Sequence, residues 1–195
     1  MIKIAIFASG SGSNAENIIR YFANDDTVCV DCVLSNRLDA FVHERAKKLG
    51  VPSVYFPKRF FDDGSVTAFL QARGIGFVVL AGYMLKVCDG LIEAFPNKIV
   101  NIHPALLPKF GGKGMHGSHV HEAVVAAGEK ESGITIHYIN NEYDAGQIIF
   151  QAHCAVAPTD TPDDVAAKVH ELEYRWFPSV IDCLLKQKPM VHEND

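Results

Sequence analysis

The sequence lacks a basic excess, has a single tryptophan, and holds no apolar stretch longer than the nine residues from Phe77 to Leu85. The charge balance and the short apolar run each remove a class of function. Lys and Arg number 18 against 23 Asp and Glu, a net charge of −5, so no electrostatic grip on nucleic acid is expected. The run from Phe77 to Leu85 contains Gly82 and falls short of the roughly 20 residues that cross a bilayer, so no membrane association is expected either. The five cysteines, Cys29, Cys32, Cys88, Cys154 and Cys183, are an odd number, which argues against a disulfide framework. Met1-Ile2-Lys3 leads straight into Ile4-Ala5-Ile6-Phe7 without a basic leader segment. A cytoplasmic protein is expected.

What is present suffices for a sizeable core. The 195 residues are 48% apolar and include 12 Phe and 6 Tyr, enough for one domain or two fused halves without stapling by metal or disulfide. Cys29-Val30-Asp31-Cys32 has the C-x-x-C spacing, but it lies in Thr27 to Leu34, a strand by composition. Residues i and i+3 of a regular strand face opposite ways. Two core cysteines, not a redox or zinc pair, are the expectation.

Apolar runs alternate with amphipathic stretches through the first hundred residues. Strands are expected at Lys3–Ala8, Val28–Leu34, Ser53–Phe56, Phe77–Ala81 and Ile99–Ile102. Helices are expected over Asn14–Phe22, from a cap at Asp39 to Leu49, and within Val66–Arg73. Gly50 and Pro52 stop the second of these, and Gly74 the third. Alternation of this kind indicates βαβ units: an α/β, Rossmann-like, open and mostly parallel sheet with helices on both faces. After Pro104 the pattern changes. A Gly-rich basic loop, Leu107 to Gly114, precedes a helix from His119 to Ala127. Two longer strands, Ile134–Ile139 and Gln147–Val156, flank a loop containing Asp144-Ala145-Gly146 and can pair antiparallel. Thr161 and Pro162 open a last helix to Lys186 as N-cap and N1.

Three segments can carry chemistry. Ser9-Gly10-Ser11-Gly12-Ser13-Asn14 follows the first strand and opens a helix, so its backbone N–H groups can hold an anion, aided by Ser13 and Asn14. It also fits the dinucleotide fingerprint loosely. The acid which that reading wants after the second strand is replaced by Ser35-Asn36-Arg37, which disfavours NAD and leaves NADP open. Asn101-Ile102-His103-Pro104 ends the fifth strand, where Asn101 and His103 share a face and α/β sheets bind ligands. Asp144 is a turn former by position. If it lies against His103 it favours the imidazolium and raises its pKa. His116, His119 and His121 lack an established metal spacing and are read as a loop leading into a helix. Lys109 and Lys113 are either solvated charges or the mouth of an anionic-substrate site.

Together Gly10-Ser11-Gly12-Ser13-Asn14, Leu80-Ala81-Gly82-Tyr83-Met84, Asn101-Ile102-His103-Pro104-Ala105-Leu106-Leu107-Pro108 and Asp144-Ala145-Gly146-Gln147-Ile148 resemble the phosphoribosylglycinamide formyltransferase family along nearly the whole chain. The resemblance implies the formyltransferase fold in one domain, 1–195, with a nucleotide- and phosphate-binding half at 1–100 and a catalytic and folate-binding half at 101–195. It implies transfer of the formyl group of 10-formyltetrahydrofolate to the amine of 5-phosphoribosylglycinamide in purine biosynthesis, with small molecules as partners and no metal. Asn101, His103 and Asp144 match the family's catalytic trio; Gly12, Ser13, Asn14 and Glu173 match its acceptor contacts. Met84, Leu85, Lys86 and Val87, with Asn101, match its folate contacts. Leu85 stands where some relatives carry Arg, Lys58 and Arg59 are the candidates for a basic residue near the folate tail, and the Gly111–Ser118 loop is longer than in the shorter relatives.

The chemistry is that of acyl transfer. Asn101 and a protonated His103 can donate hydrogen bonds to the developing oxyanion, with Asp144 orienting His103. Rivals sharing the trio are a tRNA or sugar-nucleotide formyltransferase and a formyltetrahydrofolate hydrolase. The resemblance implies a further C-terminal domain for the tRNA enzyme and an N-terminal one for the hydrolase, for which this chain is expected to leave no room. A non-catalytic NADP-binding module is the rival from another class. The sequence does not distinguish monomer from homodimer.

Overall fold

A computed structural model describes residues 1–193, so the last two positions of the expected 1–195 domain lie outside the described residues. The chain divides into two compact units, Met1–Asn101 and Ile102–Asp195.

In the first unit, apolar β-branched runs form β1 (Ile2–Phe7), β2 (Val28–Ser35), β3 (Ser53–Tyr55), β4 (Phe77–Leu80) and β5 (Ile99–His103), which continues into the second unit. They pair parallel in the order β3-β2-β1-β4-β5. Ile4, Ile6, Phe7, Leu34, Val78 and Val79 are buried on them, as strands covered on both faces require. Between the strands run α1 (Ser13–Tyr21), α2 (Val42–Lys48), α3 (Lys58–Asp62), α4 (Ser65–Ala72) and α5 (Asp89–Ala94). α1 buries Ala15, Ile18 and Ile19 at helical spacing.

Two expectations need correction. Asp39 does not cap α2. It takes both Nε and Nη2 of Arg37, at 3.2 and 2.9 Å, and the helix starts three residues later behind Phe41. A register shift between Ile4 and Ala5 leaves Asp31 unpaired as a bulge in β2, so the face alternation expected between Cys29 and Cys32 is broken. Cys32 is core, Cys29 is half-buried, and both are free thiols. Burial pushes the Cys32 thiol up to about 12, far from a reactive thiolate.

The second unit contains α6 (Ser118–Ala126), β6 (Glu131–Tyr138), β7 (Ile148–Ala155) and α7 (Pro162–Lys186). β6 and β7 are antiparallel, with Ile134 opposite Ala152 and Ile136 opposite Phe150. α7 packs on both strands and on α6, burying Phe177, Val180 and Ile181. Its start is a capping box: Thr161 Oγ1 accepts from the Asp164 N–H at 3.2 Å, and Asp164 Oδ2 accepts from the Thr161 N–H at 2.8 Å. Parallel strands first and an antiparallel pair last are the expected α/β class. Among the described residues no helix is long and apolar enough to cross a membrane.

Candidate active site

The end of β5 and the β6–β7 hairpin bring His103 and Asp144 together. His103 is 3% exposed. Its Nδ1 lies 3.6 Å from Asp144 Oδ2, and its Nε2 lies 2.8 Å from the Phe110 carbonyl. A carbonyl only accepts, so Nε2 carries a proton in this arrangement. The other Asp144 oxygen, Oδ1, lies 3.6 Å from Nε2 of the fully buried His137, whose Nδ1 donates to the Tyr138 carbonyl at 2.9 Å. Gly112 N–H donates to Asp144 Oδ2 at 3.0 Å. Asp144 is thus a bridge between two buried imidazoles.

Local backbone chemistry makes this arrangement possible. Asp144 has φ +51, a left-handed conformation that short polar side chains tolerate. A Cβ on Gly146 would stand 1.6 Å from the Tyr138 carbonyl oxygen, so only glycine lets the hairpin mouth close beside His137. Thr135 on β6 donates to the Ala105 carbonyl at 2.7 Å and accepts from Leu107 N–H at 3.0 Å. Gln151 on β7 donates to Thr135 Oγ1 and to the Leu107 carbonyl, at 2.8 and 3.1 Å. The stretch after His103 is therefore tied to the same two strands that carry His137 and flank Asp144.

Burial dominates the electrostatics of His103 and lowers its pKa, although Asp144, the Phe110 carbonyl and Glu173 all pull upward. This corrects the expectation of a raised value. Asp144 does lie beside the ring, but desolvation of the imidazolium outweighs it. For Asp144 burial pushes the carboxyl up, yet His137, His103 and the Gly112 N–H more than offset this and leave it below the ordinary carboxylate range. The site at rest is a neutral imidazole beside a carboxylate.

Asn101 sits two residues before His103 on β5, half-buried. Glu173 is buried on α7, and its Oε2 pairs with His170 Nδ1 at 2.9 Å. His121 is buried on α6 with its Nδ1 unpartnered, while His119 and His116 are exposed, His119 beside Glu122. Lys109 pairs with Glu129 at 2.9 Å, and Lys113 is exposed. Sequence reading missed His137, His170 and the Phe110 carbonyl. A histidine one residue short of a hairpin that carries a carboxylate was the available signal for His137.

In the first unit, Gly12 has φ +73 and precedes α1 without a side-chain cap. Any Cβ there would meet Val42 Cγ2 at 2.3 Å. Ser13 and Asn14 form the first turn of α1. Met84 is 47% exposed, Lys86 exposed, Leu85 half-buried and Val87 buried, in a segment outside regular structure. The Met84 N–H donates to Ser9 Oγ at 3.0 Å, and Ser9 Oγ donates to Asn36 Oδ1 at 2.6 Å. Asn36 accepts from Ser9, and the exposed Arg37 pairs with Asp39. Lys58 pairs with Asp62, and the Arg59 guanidinium lies over Phe60.

A buried histidine–carboxylate pair at the end of a strand in an α/β fold is an arrangement that general acid–base chemistry uses. Residues 2–181 match the formyl transferase family. The chain is 40% identical to a chloroplastic phosphoribosylglycinamide formyltransferase from Arabidopsis thaliana, over 95% of this chain and 66% of that longer protein. It is 34% identical to phosphoribosylglycinamide formyltransferase from Haemophilus influenzae, over 100% of this chain and 92% of the relative. The crystal structure of glycinamide ribonucleotide transformylase 1 from Symbiobacterium toebii superposes with a TM-score of 0.89 at 33% identity, covering 98% of this chain and 91% of that one. The chain belongs to the phosphoribosylglycinamide formyltransferase family.

Proposed function

We propose that this protein transfers the formyl group of 10-formyltetrahydrofolate to the amine of 5-phosphoribosylglycinamide, with Asn101, His103 and Asp144 as its catalytic groups. The observation that carries the reading is the buried His103, held between the Phe110 carbonyl and Asp144 in a chain of this family. The donor supplies an electrophilic formyl carbon. The Met84–Val87 segment is assigned to its heterocycle: it lies outside helix and strand, with Met84 and Lys86 exposed.

In the unliganded protein the neutral ring carries its proton on Nε2. With substrate in place of the Phe110 carbonyl and the proton on Nδ1 toward Asp144, Nε2 can take the proton that the acceptor amine loses on attack. It returns that proton to the folate nitrogen as the bond from that nitrogen to the formyl carbon breaks. Asp144 faces Nδ1, which leaves Nε2 as the nitrogen that works on the substrate. The Phe110 carbonyl stands on Nε2 in the unliganded protein, as an oxygen in the role the oxyanion would fill. Once His103 is protonated, both of its N–H groups have acceptors. Asp144 stabilises that imidazolium, as the carboxylate of a catalytic triad does. Asn101, two residues away on β5, is assigned as a second donor to the oxyanion. Oxyanion donors of this kind are worth about 100- to 1,000-fold in turnover each. Gly12, Ser13 and Asn14 are assigned to the acceptor's phosphate at the start of α1, and Glu173 is assigned as a further acceptor contact. The reaction is assigned to the cytoplasm.

A formyl-transfer assay tests the proposal, with 5-phosphoribosylglycinamide as acceptor and methionyl-tRNA and water as competitors. Transfer to the glycinamide supports it; transfer to tRNA or hydrolysis alone overturns it.

A further inference from the structure

The anchoring of the Gly10–Asn14 loop involves a residue that neither the sequence motifs nor the catalytic site accounts for. Arg45 on α2 reaches across to the loop, and its Nε donates to the Ser11 carbonyl at 2.9 Å. Its Nη1 pairs with Glu16 in the first turn of α1, and its guanidinium lies 5.1 Å from the centre of the Phe41 ring. Three residues earlier, the Val42 N–H donates to the Gly10 carbonyl at 3.2 Å. Two successive carbonyls of the loop are therefore held by α2.

The peptide unit is planar and trans, so its carbonyl and the next N–H point in opposite directions. Fixing the Gly10 carbonyl turns the Ser11 N–H away from α2. Fixing the Ser11 carbonyl turns the Gly12 N–H away as well. Gly12 cannot relax toward α2, because Val42 fills the space its Cβ would need. An exposed ion pair on a helix surface contributes little, but Arg45 is 31% exposed and its Nε is spent on a backbone carbonyl 34 residues away. Its partner Glu16 also binds Arg20 at 2.7 Å, and Arg20 and Arg45 together hold the Glu16 carboxyl below its ordinary range.

We infer that Arg45 is a positioning residue that sets selectivity for a phosphorylated acceptor. It aims the Gly12 N–H at the phosphate and places a cation beside the loop. The inference rests on the phosphate-loop assignment proposed above, and it extends that assignment to a side chain outside the loop.

The test compares Arg45→Met, Arg45→Lys and Glu16→Gln with the parent, using 5-phosphoribosylglycinamide and its dephosphorylated nucleoside as acceptors. In the parent, the phosphorylated acceptor is preferred. In Arg45→Met, its KM rises roughly ten-fold or more, the scale of one charge-assisted hydrogen bond, while kcat at saturation and the KM for the nucleoside hold. Arg45→Lys keeps the charge and one donor, and falls between. Glu16→Gln leaves Arg45 on Ser11 and removes a negative charge, so the KM for the phosphorylated acceptor stays or falls. A parent without preference would overturn the phosphate-loop reading itself. A parental preference that persists in Arg45→Met, an equal loss toward both acceptors, or a raised KM in Glu16→Gln would overturn the role of Arg45 alone.

Discussion

His103 Nδ1 faces Asp144 Oδ2 at 3.6 Å, while the opposite nitrogen of the ring rests on the Phe110 carbonyl at 2.8 Å. Both partners of the imidazole are acceptors, an arrangement that suits an imidazolium. Burial nonetheless keeps the pKa below its ordinary value. The pair is therefore poised for a proton that arrives during the reaction, and Asp144 limits how far burial can depress the ring.

Replacing Asp144 by Asn removes that limit. The pKa of His103 falls further, and the acid limb of kcat/KM moves to lower pH with it, as plateau activity drops. The stability consequences follow from linkage. With a folded-state pKa below about 6.5, His103 leaves the folded state short of protons as pH falls, so stability declines from about 6.5 downward toward the folded value. Asp144, depressed in the parent, contributes stability above about 3.8 that is lost as pH falls through its folded value. The variant lacks this second contribution. NMR titration of the His103 ring in parent and variant measures the coupling, and superimposable curves would mean that the carboxylate has no hold on the ring.

Removal of either oxyanion donor acts on turnover. His103→Ala and Asn101→Ala each lower kcat by about 100- to 1,000-fold with KM for both substrates nearly unchanged, because the charge they meet exists only in the transition state. Steady-state kinetics decide the matter. A raised KM at unchanged kcat would assign these residues to binding.

Gly12→Ala forces a Cβ into Val42 at 2.3 Å on a backbone with φ +73. Left-handed strain alone costs about 1–2 kcal/mol, and displacing Val42 adds to it. Thermal unfolding shifts down by roughly 4–8 °C for a ~2 kcal/mol loss in a chain of this size. Acceptor KM rises as well. An unchanged melting temperature would show that α2 yields readily.

Thr161→Ala removes the capping box of α7 at about 1 kcal/mol, or roughly 2–4 °C in melting temperature, and Thr161→Ser restores it. Activity per folded molecule is unaffected, as differential scanning calorimetry paired with the transfer assay would verify. A loss of kcat in Thr161→Ala would tie the start of α7 to the chemistry.

Much of the fold was legible because parallel strands buried on both faces read as apolar runs, as with Ile4–Phe7 and Phe77–Leu80. The capping box was legible because Thr161, Pro162 and Asp164 are local signals. Short helices such as Lys58–Asp62 and Asp89–Ala94 were not, being too brief to show a period. Asp39 looked like a cap because caps are read from residue type alone, and here the neighbouring Arg37 claims the carboxylate. The bulge at Asp31 and the anchoring of Ser11 by Arg45 depend on partners distant in sequence. Asn101 and His103 were legible as a pair because two residues on a strand share a face. The sign of the His103 shift was not, since it depends on burial contributed by other segments, including the Phe110 loop.

The most direct test of the central claim is single-turnover formyl transfer from 10-formyltetrahydrofolate with 5-phosphoribosylglycinamide in the parent and in His103→Ala. The account predicts formylated glycinamide from the parent and a rate at least about 100-fold lower in the variant, with acceptor binding intact by calorimetry. Equal rates in the two proteins, or a parent that only hydrolyses the donor, would contradict it.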